Sequence, residues 1–92
     1  MDNIAKKLLH FLRFECNLTI YSISKRMNLA YTTISLIKTD KIKDIKFTHL
    51  MNLLTSLKQD NMNIEFNKII KFIESLGEYE IKYTTDKNIS EY

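Results

Sequence analysis

The sequence predicts an all-α fold, a bundle of five helices followed by a short C-terminal β-strand. Apolar residues recur at helical spacing through most of the 92 residues. The chain holds a single Gly and no Pro, the two residues that hairpins and sheet corners consume. Only near the C-terminus does the pattern change to strict alternation of polar and apolar residues. With 45% hydrophobic residues, the chain has the means for one core and one small domain.

The first helix is expected over residues 3–15, NIAKKLLHFLRFE. There Ile4, Leu8, Leu9, Phe11, Leu12 and Phe14 form a wide apolar stripe, and Asp2 or Asn3 can cap its start. Thr19 suits the N-cap of a second helix running from Ile20 to Met27, and a third follows from Tyr31 to Lys38. The stretch Thr39 to Lys46, TDKIKDIK, reads as a basic loop. A fourth helix, Phe47 to Lys58, sets Leu50, Leu53, Leu54 and Leu57 on one face until QDNMN breaks it. A fifth, Ile64 to Leu76, turns Ile69, Ile70, Ile73 and Leu76 inward. Gly77 stands where a helix C′ residue needs positive φ.

The alternating stretch is EYEIKYT, Glu78 to Thr84, with Tyr79, Ile81 and Tyr83 on one side. A lone strand cannot satisfy its own backbone groups. Pairing with the same strand of a second copy would do so, in a symmetric homodimer. Residues 1–77 are therefore expected to form one helical domain. Residues 78–92 would form a dimerisation strand and a polar tail, with Tyr79, Ile81 and Tyr83 at the contact.

The net charge is +3 and the pI about 9.0, but the charge is uneven. Residues 1–60 carry 10 Lys and Arg against 5 Asp and Glu, whereas residues 61–92 carry 4 against 6. A basic front joined to an acidic tail suits a polyanion-binding part attached to something else.

Residues 19–38 fit two short helices joined by a tight turn. Such a turn needs a small residue where the helices meet, a residue that tolerates the left-handed conformation, and apolar anchors at helical spacing. Ser24 is small. Asn28 is the non-glycine residue type best suited to the left-handed region. Ile23, Met27, Leu29, Ile34 and Ile37 supply the anchors.

At these residues the chain resembles the phage-repressor, or Xre/Cro-type, helix-turn-helix family. LTIYSISKRMNLAYTTISLIK is similar to the motif itself, and KFTHLMNLLTSL to the helix that follows it. It departs from the family at Ile20, where Gln is common, at Ser24 for Ala, at Asn28 for Gly, and at Lys38 for an acidic residue. The resemblance spans about residues 3–58. It implies a lambda-repressor-like bundle whose third helix enters the major groove of double-stranded DNA, usually as a dimer.

With Ile34 and Ile37 turned inward, Tyr31, Thr32, Thr33, Ser35 and Leu36 are the candidate base contacts. Thr32 and Ser35 can donate or accept, while Tyr31 and Leu36 can meet a thymine methyl. Lys25, Arg26, Lys38, Lys41, Lys43 and Lys46 are the candidate phosphate contacts. No Arg, Asn or Gln is available on this face of the third helix for a bidentate base contact. Modest direct readout of an AT-containing site, helped by DNA shape, is the expectation.

Other chemistries find little support. His10 and His49 lie far apart with no second ligand at metal spacing. Cys16 lacks a CxxC partner and reads as a small buried hydrophobe, fitting a reducing cytoplasm. No nucleophile-elbow, Walker A or HExxH motif occurs, so neither an enzyme nor a cofactor is expected. No apolar run approaches the ~20 residues of a membrane span, and the N-terminus lacks a signal-peptide core.

The leading expectation is thus a cytoplasmic DNA-binding transcriptional repressor acting as a homodimer on a palindromic operator. An alternative is the antitoxin of a toxin–antitoxin pair, binding both operator DNA and its toxin protein. SLGEYEIKYTTDKNISEY resembles the C-terminal strand and tail of HipB-type antitoxins. A helical module that binds only protein is the third class.

Overall fold

The structure is a computed structural model and describes residues 3–76. Asn3 opens α1 (Ile4–Phe14): its backbone is extended, and its side-chain oxygen accepts the Lys6 N–H at 2.9 Å. Thr19 opens α2 (Ile20–Met27) in the same way, its hydroxyl accepting the Ser22 N–H at 3.0 Å. Then come α3 (Tyr31–Lys38) and α4 (Phe47–Gln59). A fifth helix, α5, occupies residues 63–76. Every regular element among the described residues is helical. The expected strand with Tyr79, Ile81 and Tyr83, and the Gly77 cap, lie outside the described residues.

The glycine-poor sequence ends its helices with Asn and Asp. Among the described residues, only Asn17, Asn28, Asp40 and Asn61 have positive φ, at 56°, 56°, 63° and 56°. These residue types enter the left-handed region at modest cost, because a short polar side chain can bond locally. Behind α2, the Leu29 N–H donates to the Ser24 carbonyl at 3.0 Å and the Asn28 N–H to the Lys25 carbonyl at 3.4 Å. The same pair of bonds closes α3 around Asp40, from Lys41 to Leu36 at 2.8 Å and from Asp40 to Ile37 at 3.1 Å. It closes α4 around Asn61, from Met62 to Leu57 at 2.9 Å and from Asn61 to Lys58 at 3.1 Å. Each is a Schellman closure, which satisfies carbonyls the helix leaves orphaned.

Four helices and their turns meet in a core that α5 completes through Ile69. Leu12, Ile23, Met27, Ile34, Ile37, Leu53, Leu57 and Ile69 are fully buried. Each contributes about 2 kcal/mol of transfer free energy, against which the entropy of ordering is set. The five anchors expected for the turn are all buried: Ile23, Met27, Leu29, Ile34 and Ile37. Among α1–α4, the packing of α2 on α4 is the most extensive contact. Phe11 of α1 stacks on Phe72 of α5, ring centroids 4.4 Å apart, which ties α5 to α1.

Several apolar residues differ from the sequence reading, among them Ile4 of the expected α1 stripe, which is exposed. Phe14 stands exposed beyond the α1 stripe, beside His10 and Arg13, and Ala5 is buried in the core instead. Met51 of α4 is also exposed. On α5, Phe66 and Phe72 pack against the core together with Ile69 and Ile73.

The basic loop is anchored to the bundle. Ile42 and Ile45 are half-buried against the core. The Ala5 N–H donates to the Lys43 carbonyl at 3.0 Å. Asn3 Nδ2 donates to Asp40 Oδ1 at 3.0 Å and to the Ile42 carbonyl at 3.3 Å. Lys6 Nζ meets Asp40 Oδ2 at 3.1 Å. The start of α1 therefore holds the chain that leaves α3.

Candidate nucleic-acid interface

The turn between α2 and α3 is only Asn28, Leu29 and Ala30. Leu29 drops into the core with Ile23, while the Ser24 hydroxyl donates to the Leu29 carbonyl. Two backbone bonds and this side-chain bond thus fix how α3 leaves α2. His49 of α4 closes the same corner from the other side: its Nδ1 lies 2.8 Å from the Met27 carbonyl. A carbonyl only accepts, so Nδ1 carries the hydrogen.

This corner aims α3 outward. Ile34 and Ile37 are buried, whereas Tyr31, Thr32, Ser35, Leu36 and Lys38 are exposed. Tyr31 keeps 53% of its surface and Leu36 40%. Of the expected base contacts, Thr33 alone is half-buried. It lines a groove of about 290 Å³ with the α2–α3 turn, Asp44, Lys46 and His49.

The expected phosphate contacts divide. Lys25, Lys38, Lys41, Lys43 and Lys46 are all exposed. Lys25 lies over the Tyr21 ring, 5.6 Å from its centroid, and Lys38 sits in the last turn of α3. Arg26 is different. Its Nη1 donates to Ser56 Oγ and to Asp60 Oδ2, each at 2.6 Å. Its Nε donates to Ser22 Oγ at 3.1 Å, and Nη2 lies 3.1 Å from Met62 Sδ. The side chain retains 17% exposure. Arg26 is therefore a clamp between α2 and the end of α4, and its donors are directed at the protein.

Comparisons with protein-family models, curated proteins and solved structures give no match to this chain.

The helix ends carry a further contrast. A side chain caps α1 and α2, but Ala30 and Lys46 at the starts of α3 and α4 provide no side-chain cap bond, and neither first turn holds an acidic residue. Such ends present backbone N–H groups and the positive pole of the helix dipole, which favours anions. Between Thr19 and Lys58 the only carboxylates are Asp40 and Asp44. The carboxyl of Asp40 is held below the usual aspartate range by its bonds from Asn3 and then from Lys6.

Phe47, the first residue of α4, keeps 64% exposure beside Lys46. Sequence reading overlooked both Phe47 and Tyr21 as surface aromatics. Phe47 directly follows Lys46 and Tyr21 lies one helical turn before Lys25; this spacing was the available signal, since lysine beside an aromatic is a common feature of nucleic-acid surfaces.

Cys16 is free and buried in the core. Burial pushes the Cys16 thiol up, outweighing the opposing charge of Lys68, so it stays protonated at neutral pH. No group of three His, Cys, Asp or Glu residues converges among the described residues. Among the described residues no helix is long and apolar enough to cross a membrane.

Proposed function

We propose that this chain is a sequence-specific regulator of the phage-repressor type that binds double-stranded DNA through α3. The observation that carries the reading is the outward face of α3, polar and apolar but uncharged at its centre, on a chain whose α2, α3 and following loop hold five exposed lysines. The lysines and the uncapped starts of α3 and α4 supply phosphate contacts, which position the protein. Tyr31, Thr32, Ser35 and Leu36 meet base edges, which specify. Arg26 leaves the set of phosphate contacts and serves the rigidity of the unit.

Two copies related by a two-fold axis, with recognition helices about 34 Å apart, would read a palindromic operator. Occupancy of such a site beside a promoter gives repression. In vitro selection from a random duplex library, followed by fluorescence anisotropy at about 100 mM salt, tests the reading. The expected result is a selected two-fold site whose affinity falls when Tyr31 becomes Ala. No specific binding at that salt, with Tyr31→Ala matching the wild type, overturns it.

A further inference from the structure

Apart from Lys38 in its last turn, the solvent face of α3 lacks the long polar side chains that ordinarily read bases. Thr32, Ser35, Leu36 and Thr39 fall at i, i+3, i+4 and i+7, one side of the helix, and all four are exposed. Tyr31 stands at the edge of that face. None of these side chains has a guanidinium, a carboxamide or a carboxylate. Thr39 turns its hydroxyl back, donating to the Ser35 carbonyl at 3.0 Å and the Leu36 carbonyl at 3.3 Å. The single nearby guanidinium, on Arg26, is engaged by Ser22, Ser56 and Asp60.

Guanine is read through O6 and N7 by Arg or Lys, adenine by Asn or Gln, and the cytosine amino group by Asp or Glu. Thymine differs in offering a methyl group at C5, which an apolar side chain recognises by contact. Methyl and isobutyl groups are what α3 has in surplus, and the exposed apolar area of Leu36 and Tyr31 has nothing in the bundle to cover it.

Resting on the DNA-binding reading above, we infer that α3 is a reader of C5-methyl groups in the major groove, with Leu36 and Thr32 as the specificity-determining residues. It takes thymine-bearing duplex and accepts the methyl of 5-methylcytosine, which stands at the same ring position. Removing a buried methyl costs a transfer free energy equivalent to about a fourfold loss of affinity.

The test uses the full chain and the duplex obtained by selection. Each thymine in turn is replaced by deoxyuridine, which removes only the methyl. At each responsive position a T·A pair is also replaced by C·G and by 5-methylcytosine·G. The expected result is a loss of about fourfold per critical methyl, with 5-methylcytosine binding more tightly than cytosine. The deoxyuridine penalty should shrink in Leu36→Ala or in Thr32→Ser, which keeps the hydroxyl and removes a methyl.

Equal affinity for the uridine and thymine duplexes at every position overturns the inference and leaves the DNA reading standing. So does a penalty of unchanged size in both variants, which would assign it to DNA shape. Failure to select or bind any duplex overturns both. The comparison of modified duplexes with wild-type protein is independent of whether a variant folds.

Discussion

The hydroxyl of Ser24 donates to the carbonyl of Leu29 across the turn between α2 and α3, while the Leu29 N–H returns to the Ser24 carbonyl at 3.0 Å. The two residues are bonded twice, in opposite senses, around Asn28. A residue chosen for small size thus also fastens the turn. Ser24→Ala keeps the size and removes one part-buried hydrogen bond, for an expected loss of about 1 kcal/mol. A lower urea midpoint at unchanged m-value is the predicted result.

Asn28 holds φ 56°, ψ 48°, a conformation that a Cβ-branched residue enters only under strain. Asn28→Gly is expected to leave stability within about 0.5 kcal/mol of the wild type, because Gly takes this conformation freely. Asn28→Val is expected to cost about 1 kcal/mol or more. Thermal melts of the two variants should separate in that order. Equal melting temperatures would show that the turn is not held in the left-handed conformation in solution.

Arg26 joins α2 to α4 through Ser56 and Asp60. Its removal leaves part-buried acceptors without their donor, so Arg26→Ala should lose about 1–3 kcal/mol. A double-mutant cycle with Asp60→Ala should give a coupling of about 1 kcal/mol, modest because Asp60 is more than half exposed. The salt dependence of DNA binding should keep its slope in Arg26→Ala, measured below its melting temperature. A slope flattened by about one unit would return Arg26 to the phosphate contacts.

Asp40 links the acid limb of the stability profile to the start of α1. Its carboxyl is held below the usual aspartate range, first by Asn3 and second by Lys6. A depressed folded-state pKa means that the charged form stabilises the fold above the ordinary aspartate pKa. That stabilisation is lost as pH falls through the lower, folded-state value. Asp40→Asn, which also tolerates positive φ, should therefore be less stable than wild type at neutral pH. The two should converge in acid, and denaturation midpoints measured from pH 7 downward would reveal the convergence. A constant gap at all pH values would assign the difference to something other than the ionised carboxyl.

Helix spans were readable from the sequence where period and cap agreed. The boundaries Ile20–Met27 and Tyr31–Lys38 follow from Thr19, from Asn28, and from anchors at helical spacing. Asn28 was legible as a left-handed residue, yet Asp40 and Asn61 perform the same closure, Asn17 shares the positive φ, and all three gave a comparable signal, an Asn or Asp close after an apolar stripe. Phe14 was misread because the expected stripe was drawn too wide: at helical spacing Phe14 falls on the side of α1 away from the buried Ala5, Leu8, Leu9 and Leu12. The basic loop hid two anchors, Ile42 and Ile45, whose spacing of three is too short to reveal a period.

The candidate site was legible as a set of residue types and not as an arrangement. Lys25 and Arg26 are adjacent, basic and indistinguishable by composition. Only the packing of α2 on α4 brings Ser56 and Asp60 to the guanidinium of Arg26 and leaves the ammonium of Lys25 over the Tyr21 ring in solvent. The sequence by itself determined the helices, their closures at Asn28 and the apolar set that forms the core, because these depend on local geometry and on period. Tertiary structure decided which charges remain free, which hydroxyls are spent on the backbone and which face of α3 meets solvent. The engagement of Arg26 depends on partners 30 or more residues away in the chain, and no local pattern encodes such distances.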